Sequence, residues 1–208
     1  MERLPTGLVT GGDAGMKKPL RITFNAPLVL GFALACAVAT LAGALTGGSS
    51  TTLLFSTHSA SLLNPLTWLR LLTHVLGHRD LQHLMGNMAY ILLLGPALEE
   101  KYGCKKLLTV IATTAVITGL VHNLLFPGTL LLGASGVVFS FILLTSFTGF
   151  REGEIPLTFI LVALIYLGQQ IWDAVTVRDN ISNLSHILGG AVGGAAGYVM
   201  NRQQKDIK

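Results

Sequence analysis

The chain has 208 residues, of which 51% are hydrophobic and only 12% charged, with a mean hydropathy of +0.63. Soluble domains carry about a quarter charged residues, so this composition excludes the ordinary soluble class. The 14 Lys and Arg against 10 Asp and Glu form no patch with interleaved aromatics, which argues against nucleic acid. Two cysteines, Cys36 and Cys104, suggest neither a disulfide framework nor a metal site.

The first 25 residues are polar and glycine-rich, without the compact apolar core and cleavage site of a signal peptide, and read as a loose tail. Six apolar segments follow, at about 26–45, 82–98, 107–125, 134–150, 156–173 and 183–200. A bilayer core asks for roughly 20 residues per helix, so several, the fourth among them, are only marginally long. Short spans suit helices that start below the membrane surface, with the irregular backbone covered by protein. The connections are short except for roughly 35 residues at 46–81, which carry Trp68, Arg70 and several histidines. A loop that long predicts a structured, functional segment. Residues 201–208 form a second polar tail.

The expectation is an all-α polytopic membrane protein: tails at 1–25 and 201–208, and a compact bundle of six transmembrane helices at 26–200. With both termini cytoplasmic, inner segments hold eleven basic residues (Arg3, Lys17, Lys18, Arg21, Lys101, Lys105, Lys106, Arg151, Arg202, Lys205 and Lys208), and outer segments hold three (Arg70, Arg79 and Arg178). That is the positive-inside bias of a six-span chain, and it places the long loop outside.

Polar groups within transmembrane segments are costly and point to function. One set is His74, His78, His83 and Asn87, running from the long loop into the second segment; His83 and Asn87, four apart, share a helix face. Asn and His also serve as helix–helix glue, and for Asn87 alone the two readings are evenly matched. The second set is Gly133-Ala134-Ser135-Gly136, opening the fourth segment. Here a helix cap and small-residue packing is the commoner reading. A helix N-terminus also favours developing negative charge. The third is Ser185-His186, followed by glycines at 189, 190, 193, 194 and 197, a spacing that lets helices approach closely. By topology, segments two, four and six all begin at the outer face, so the three sets meet at one depth.

Serine is a poor nucleophile until a base takes its proton, and histidine is the usual base. His186 with Ser135 supplies that pair. The Asn87 amide, the His83 ring and the Ser135 backbone N–H are candidate donors to a tetrahedral oxyanion. Asp80, Asp173 and Asp179 are near the outer surface, but nothing ties one to His186, so a dyad is preferred to a triad.

At these residues the chain resembles the rhomboid family of intramembrane serine proteases, over nearly all of 25–200. His83 to Asn87 looks like the family's HxxxN, Gly133 to Gly136 like its GxSG with Ser135 at the nucleophile, and His186 with Gly189 and Gly193 like its HxxGxxxG. Gly95, Glu99 and Gly103 fit GxxxExxxG, Arg70 fits the arginine of the first outer loop, and His78 the histidine five before His83. The resemblance implies a Ser–His dyad without metal or other cofactor. It also implies an aqueous cavity open to the outside, lateral access from the lipid bilayer, and transmembrane protein substrates with small residues at the cut. A compact chain of this kind looks prokaryotic, which would place it in the inner membrane. Two departures stand out. Phe139 replaces the tyrosine that commonly stacks beneath the catalytic histidine, and Trp68 is separated from Arg70 by Leu69. The alternatives are an inactive rhomboid-like binder of membrane proteins, which should have lost Ser135 or His186, and a small transporter. The latter should show an inverted repeat and mid-membrane charges.

Overall fold

A computed structural model describes residues 23–149, 154–176 and 180–205. The described residues are all-helical: α1 (Pro27–Leu45), α2 (Ser49–Leu54), α3 (Pro65–Thr73), α4 (Leu81–Tyr102), α5 (Cys104–Leu125), α6 (Ser135–Ser146), α7 (Leu157–Thr176) and α8 (Asn180–Lys205), with 3-10 turns at His74–Leu76 and Phe147–Gly149. Every apolar segment of the sequence thus carries one helix, and the long loop carries α2, α3 and a 3-10 turn. The fourth helix is shorter than its apolar run, ending at Ser146 and tightening into the second 3-10 turn.

By length and composition, α1 and α5 are apolar enough to cross a membrane. Helices α4 and α8 are long enough but more polar, because they carry the histidines, Asn87 and the glycines singled out above. Site chemistry dilutes the membrane signal in the helices that hold it. The exterior is apolar nonetheless: Leu34, Leu41, Leu93, Leu124, Leu161 and Leu164 are all exposed. Apolar side chains spread over so many outward faces suit lipid better than water.

Helix α6 lies at the centre, touching α4, α5, α7 and α8, and Val137, Phe141 and Leu144 on it are fully buried. Its pairing with α8 is the most extensive in the molecule, and the glycines make it possible. A Cβ added at Gly189 would stand 2.1 Å from the Gly136 carbonyl oxygen, and one at Gly193 2.0 Å from that of Ser140. Only hydrogen fits there, so the two backbones touch.

Two fastenings hold the remainder. Ala26, preceding α1, offers no side-chain cap. Instead the buried Glu99 carboxylate, near the end of α4, accepts the N–H groups of Leu28 and Val29, each at 3.0 Å. The negative charge also opposes the positive end of the α1 dipole. In the long loop, Arg70 is buried with its Nε donating to the Leu53 carbonyl at 2.7 Å and Nη1 3.3 Å from His58 Nε2. The Thr73 hydroxyl donates to the Leu54 carbonyl. Arginine's rigid fork draws the first half of the loop onto the second. Trp68, two residues earlier, lies on the outside with its Nε1–H on the Leu62 carbonyl at 2.9 Å.

Candidate active site

Asp80 is the N-cap of α4: its Oδ1 accepts the His83 N–H at 2.8 Å, fixing the helix start. His83 and Asn87 then project from successive turns toward the segment before α6. Gly133 in that segment has φ +122°, a conformation open to glycine, and a Cβ there would lie 2.8 Å from His83 Cε1 and 3.9 Å from Asn87 Nδ2. The glycine's missing side chain is therefore what admits the two polar groups beside the backbone leading to Ser135.

Ser135 is the first residue of α6. Ala134 before it supplies no side-chain cap, so the amides of the first turn keep their donor capacity. His83 Nδ1 and Asn87 Nδ2 are buried without a hydrogen-bond partner among the described residues. An unpaired buried donor costs about 1–3 kcal/mol, a cost that fits groups awaiting a ligand.

His186 is contributed by the first turns of α8, where the Ser185 carbonyl packs against Gly136 (3.5 Å from a Cβ built there). Its ring lies over Phe139 with centroids 4.2 Å apart and planes 37° apart. Phe139 is one turn on from Ser135, so α6 presents the serine and the ring beneath the histidine on one face. Ser135, His186, His83, Asn87 and Phe139 all line one cavity of about 930 Å³.

Apart from Phe139, the supporting residues named from sequence fall outside the cavity wall. Gly133 and Gly136 back it, Gly189 and Gly193 hold α8 against α6, Glu99 anchors α1, and Arg70 centres the loop. His78 joins loop to site. Its Nδ1 faces the Leu76 carbonyl at 3.1 Å, so that nitrogen carries the proton, and Nε2 accepts the Ala134 N–H at a long 3.5 Å. Its ring meets that of His83 edge-on at 4.9 Å. Burial, and then the neighbouring His83, push the His78 pKa down to about 4, which keeps the acceptor nitrogen bare.

Other contributors had no sequence signal, because they are long-range pairs. The His74 carbonyl accepts the Gly133 N–H at 2.9 Å, and Thr57 and Leu131 form a reciprocal backbone bridge with both bonds at 2.9 Å. The long loop is thus stitched to the approach to Ser135. Burial holds the His74 pKa at about 4 as well. Asp80, weighed as a triad acid, is committed elsewhere: one oxygen caps α4 and the other pairs with Arg79 at 3.1 Å. Asp179 and the side chain of Asp173 lie outside the described residues, as does Arg178.

An all-helical molecule with an apolar exterior that gathers serine, histidine and asparagine from three helices into one cleft defines a membrane protein built around a polar site. The Rhomboid domain family model matches residues 65–203. The chain belongs to the rhomboid family, integral membrane proteins that are mostly intramembrane serine proteases and include inactive members.

Proposed function

We propose that the protein is an active intramembrane serine endopeptidase in which Ser135 is the nucleophile and His186 the general base. The observation that carries this reading is the convergence of Ser135, His186, His83 and Asn87, from α6, α8 and α4, on one cavity. His186 takes the proton from Ser135 Oγ as the oxygen attacks a peptide carbonyl. The resulting oxyanion is met by the Ser135 N–H, the Asn87 amide and the His83 ring, whose buried donors are otherwise unspent. Collapse expels the amine, protonated by His186, and leaves an acyl-serine. Water activated by the same histidine then hydrolyses it. Phe139 keeps the stacking surface beneath His186 without a hydroxyl.

In this reading α1 and α4–α8 are the six membrane helices of a domain at 26–200, with cytoplasmic tails at 1–25 and 201–208. The cavity opens to the outer side of a prokaryotic inner membrane, and the substrates are transmembrane proteins reaching it from the bilayer. The basic-residue count supports the orientation. The test is cleavage of a single-span substrate in liposomes by wild type and by Ser135→Ala, with a serine-reactive fluorophosphonate probe in parallel. Cleavage and labelling by wild type alone are expected. Cleavage by both would remove Ser135 from the nucleophile's role, and neither cleavage nor labelling by wild type would favour an inactive member.

A further inference from the structure

Arg79 and Asp80 stand at the outer end of α4 and line two cavities at once: the one that holds Ser135, and a second of about 660 Å³ bounded by α1, α2 and the loop. Leu132, three residues before Ser135, completes the shared wall. The pair is a built arrangement. Asp80 Oδ1 is held by the His83 N–H and Oδ2 by Arg79 Nε, so both carboxylate oxygens are engaged inside the protein. Arg79 spends only Nε. Its side chain is 81% exposed, and its two Nη groups have no protein partner among the described residues. The contrast with Arg70 is direct, since that guanidinium is buried and committed to Leu53 and His58. Arg79 thus carries a positive charge, anchored through Asp80 to the helix turn that bears His83, at the mouth of the cleft. Guanidinium forks of this kind select planar anions, carboxylates above all.

We propose that Arg79 is a specificity residue: it reads an acidic side chain in the substrate segment that leaves the cleft on the outer side of the membrane. This rests on the protease reading above. A substrate span cut at Ser135 must pass its outer flank over the wall formed by Arg79, Asp80 and Leu132. Of the two charges on that wall, Asp80 has both oxygens engaged, so the two Nη groups of Arg79 are what it offers to an incoming group. Lipid phosphate is the competing anion at this depth. The placement of Arg79 on the wall of the Ser135 cavity favours the substrate.

The experiment measures kcat/KM in neutral-lipid liposomes for single-span substrates carrying Asp, Asn or Lys in turn at each outer-flank position near the cut. The wild type is expected to favour Asp over Asn by about fivefold at one or two positions, a preference that shrinks at high salt. Arg79→Gln should bring that ratio to one. Arg79→Glu should invert it, making the Lys substrate the best at the same position, a gain that no misfolded variant can produce. A flat wild-type profile, or a preference that survives Arg79→Gln, overturns the assignment. A drop in Arg79→Gln that is equal for every substrate and appears only with anionic lipid would assign the fork to headgroups instead. Wild type that cleaves no substrate and takes no fluorophosphonate probe overturns the protease reading, and the assignment with it.

Discussion

The α6–α8 seam and the α4–α7 flank border the same cavity and are built in opposite ways. Along the seam, Gly189 and Gly193 press on the carbonyls of Gly136 and Ser140, and no atom heavier than hydrogen fits between. Across the flank, α4 and α7 hardly touch among the described residues. Gly86 on the cavity side of α4 has nothing within 4 Å of where a Cβ would stand. Val162 and Ile165 face the cavity from α7. The seam holds the start of α8, which bears His186, close against the start of α6, which bears Ser135; in the proposed dyad their relative position would tolerate little error. The flank leaves open space beside Gly86. Glycine serves both regions for unlike reasons, as a contact in one and a gap in the other.

The comparison breaks first at the chemistry. Ser135→Ala and His186→Ala should each lower cleavage by roughly 10⁴-fold or more while leaving thermal unfolding unchanged. A residual rate within tenfold of wild type would remove that residue from the dyad. Asn87→Ala should cost roughly 10²–10³ in kcat if its amide meets the oxyanion, and an unchanged kcat would take it out of the site.

The two glycine regions can then be set against each other. Gly189→Ala should destabilise by about 3 kcal/mol, since the methyl meets backbone that has nowhere to go, and should lower activity by pulling α8 off α6. Gly86→Leu should leave the unfolding midpoint unchanged or raised, because leucine is the better helix former by about 0.8 kcal/mol. It should nonetheless slow cleavage of a helical substrate several-fold by filling the gap. Equal stability losses at both positions, read by differential scanning fluorimetry, would dissolve the distinction.

Acid supplies a further test. His74 and His78 have folded pKa values of about 4, well below the roughly 6.5 of an exposed histidine. Between those values the unfolded chain binds more protons, so stability present above about pH 6.5 is lost as the pH falls toward 4. The melting temperature should therefore drop between pH 7 and 5, and His78→Gln should flatten that slope. A pH-independent melting temperature over this range would contradict the burial of these rings.

Much of this was legible in the chain. Apolar runs marked the helices because lipid imposes length and uniform hydrophobicity together. The histidines and Asn87 stood out because polar groups are expensive in such runs, whereas HxxxN, GxSG and the His–Gly–Gly spacing gained their meaning from the family resemblance. What escaped was carried by contacts distant in sequence: the His74 carbonyl on Gly133, the Thr57–Leu131 bridge, and Asp80 spent on capping α4. Helices α2 and α3 were also hidden, since a loop packed around the buried Arg70 has no periodic apolar pattern to betray it. The short α6 misled by its composition: apolar residues continue to about 150, but the helix tightens after Ser146.

Glu99 also bears on the order in which the protein is made. The amides it satisfies lie about 70 positions earlier, at Leu28 and Val29. During synthesis α1 is therefore complete long before its anchor exists, and its first turn must wait for the last turns of α4 to arrive. A nascent chain ending ahead of residue 99 leaves the Leu28 and Val29 amides without this acceptor.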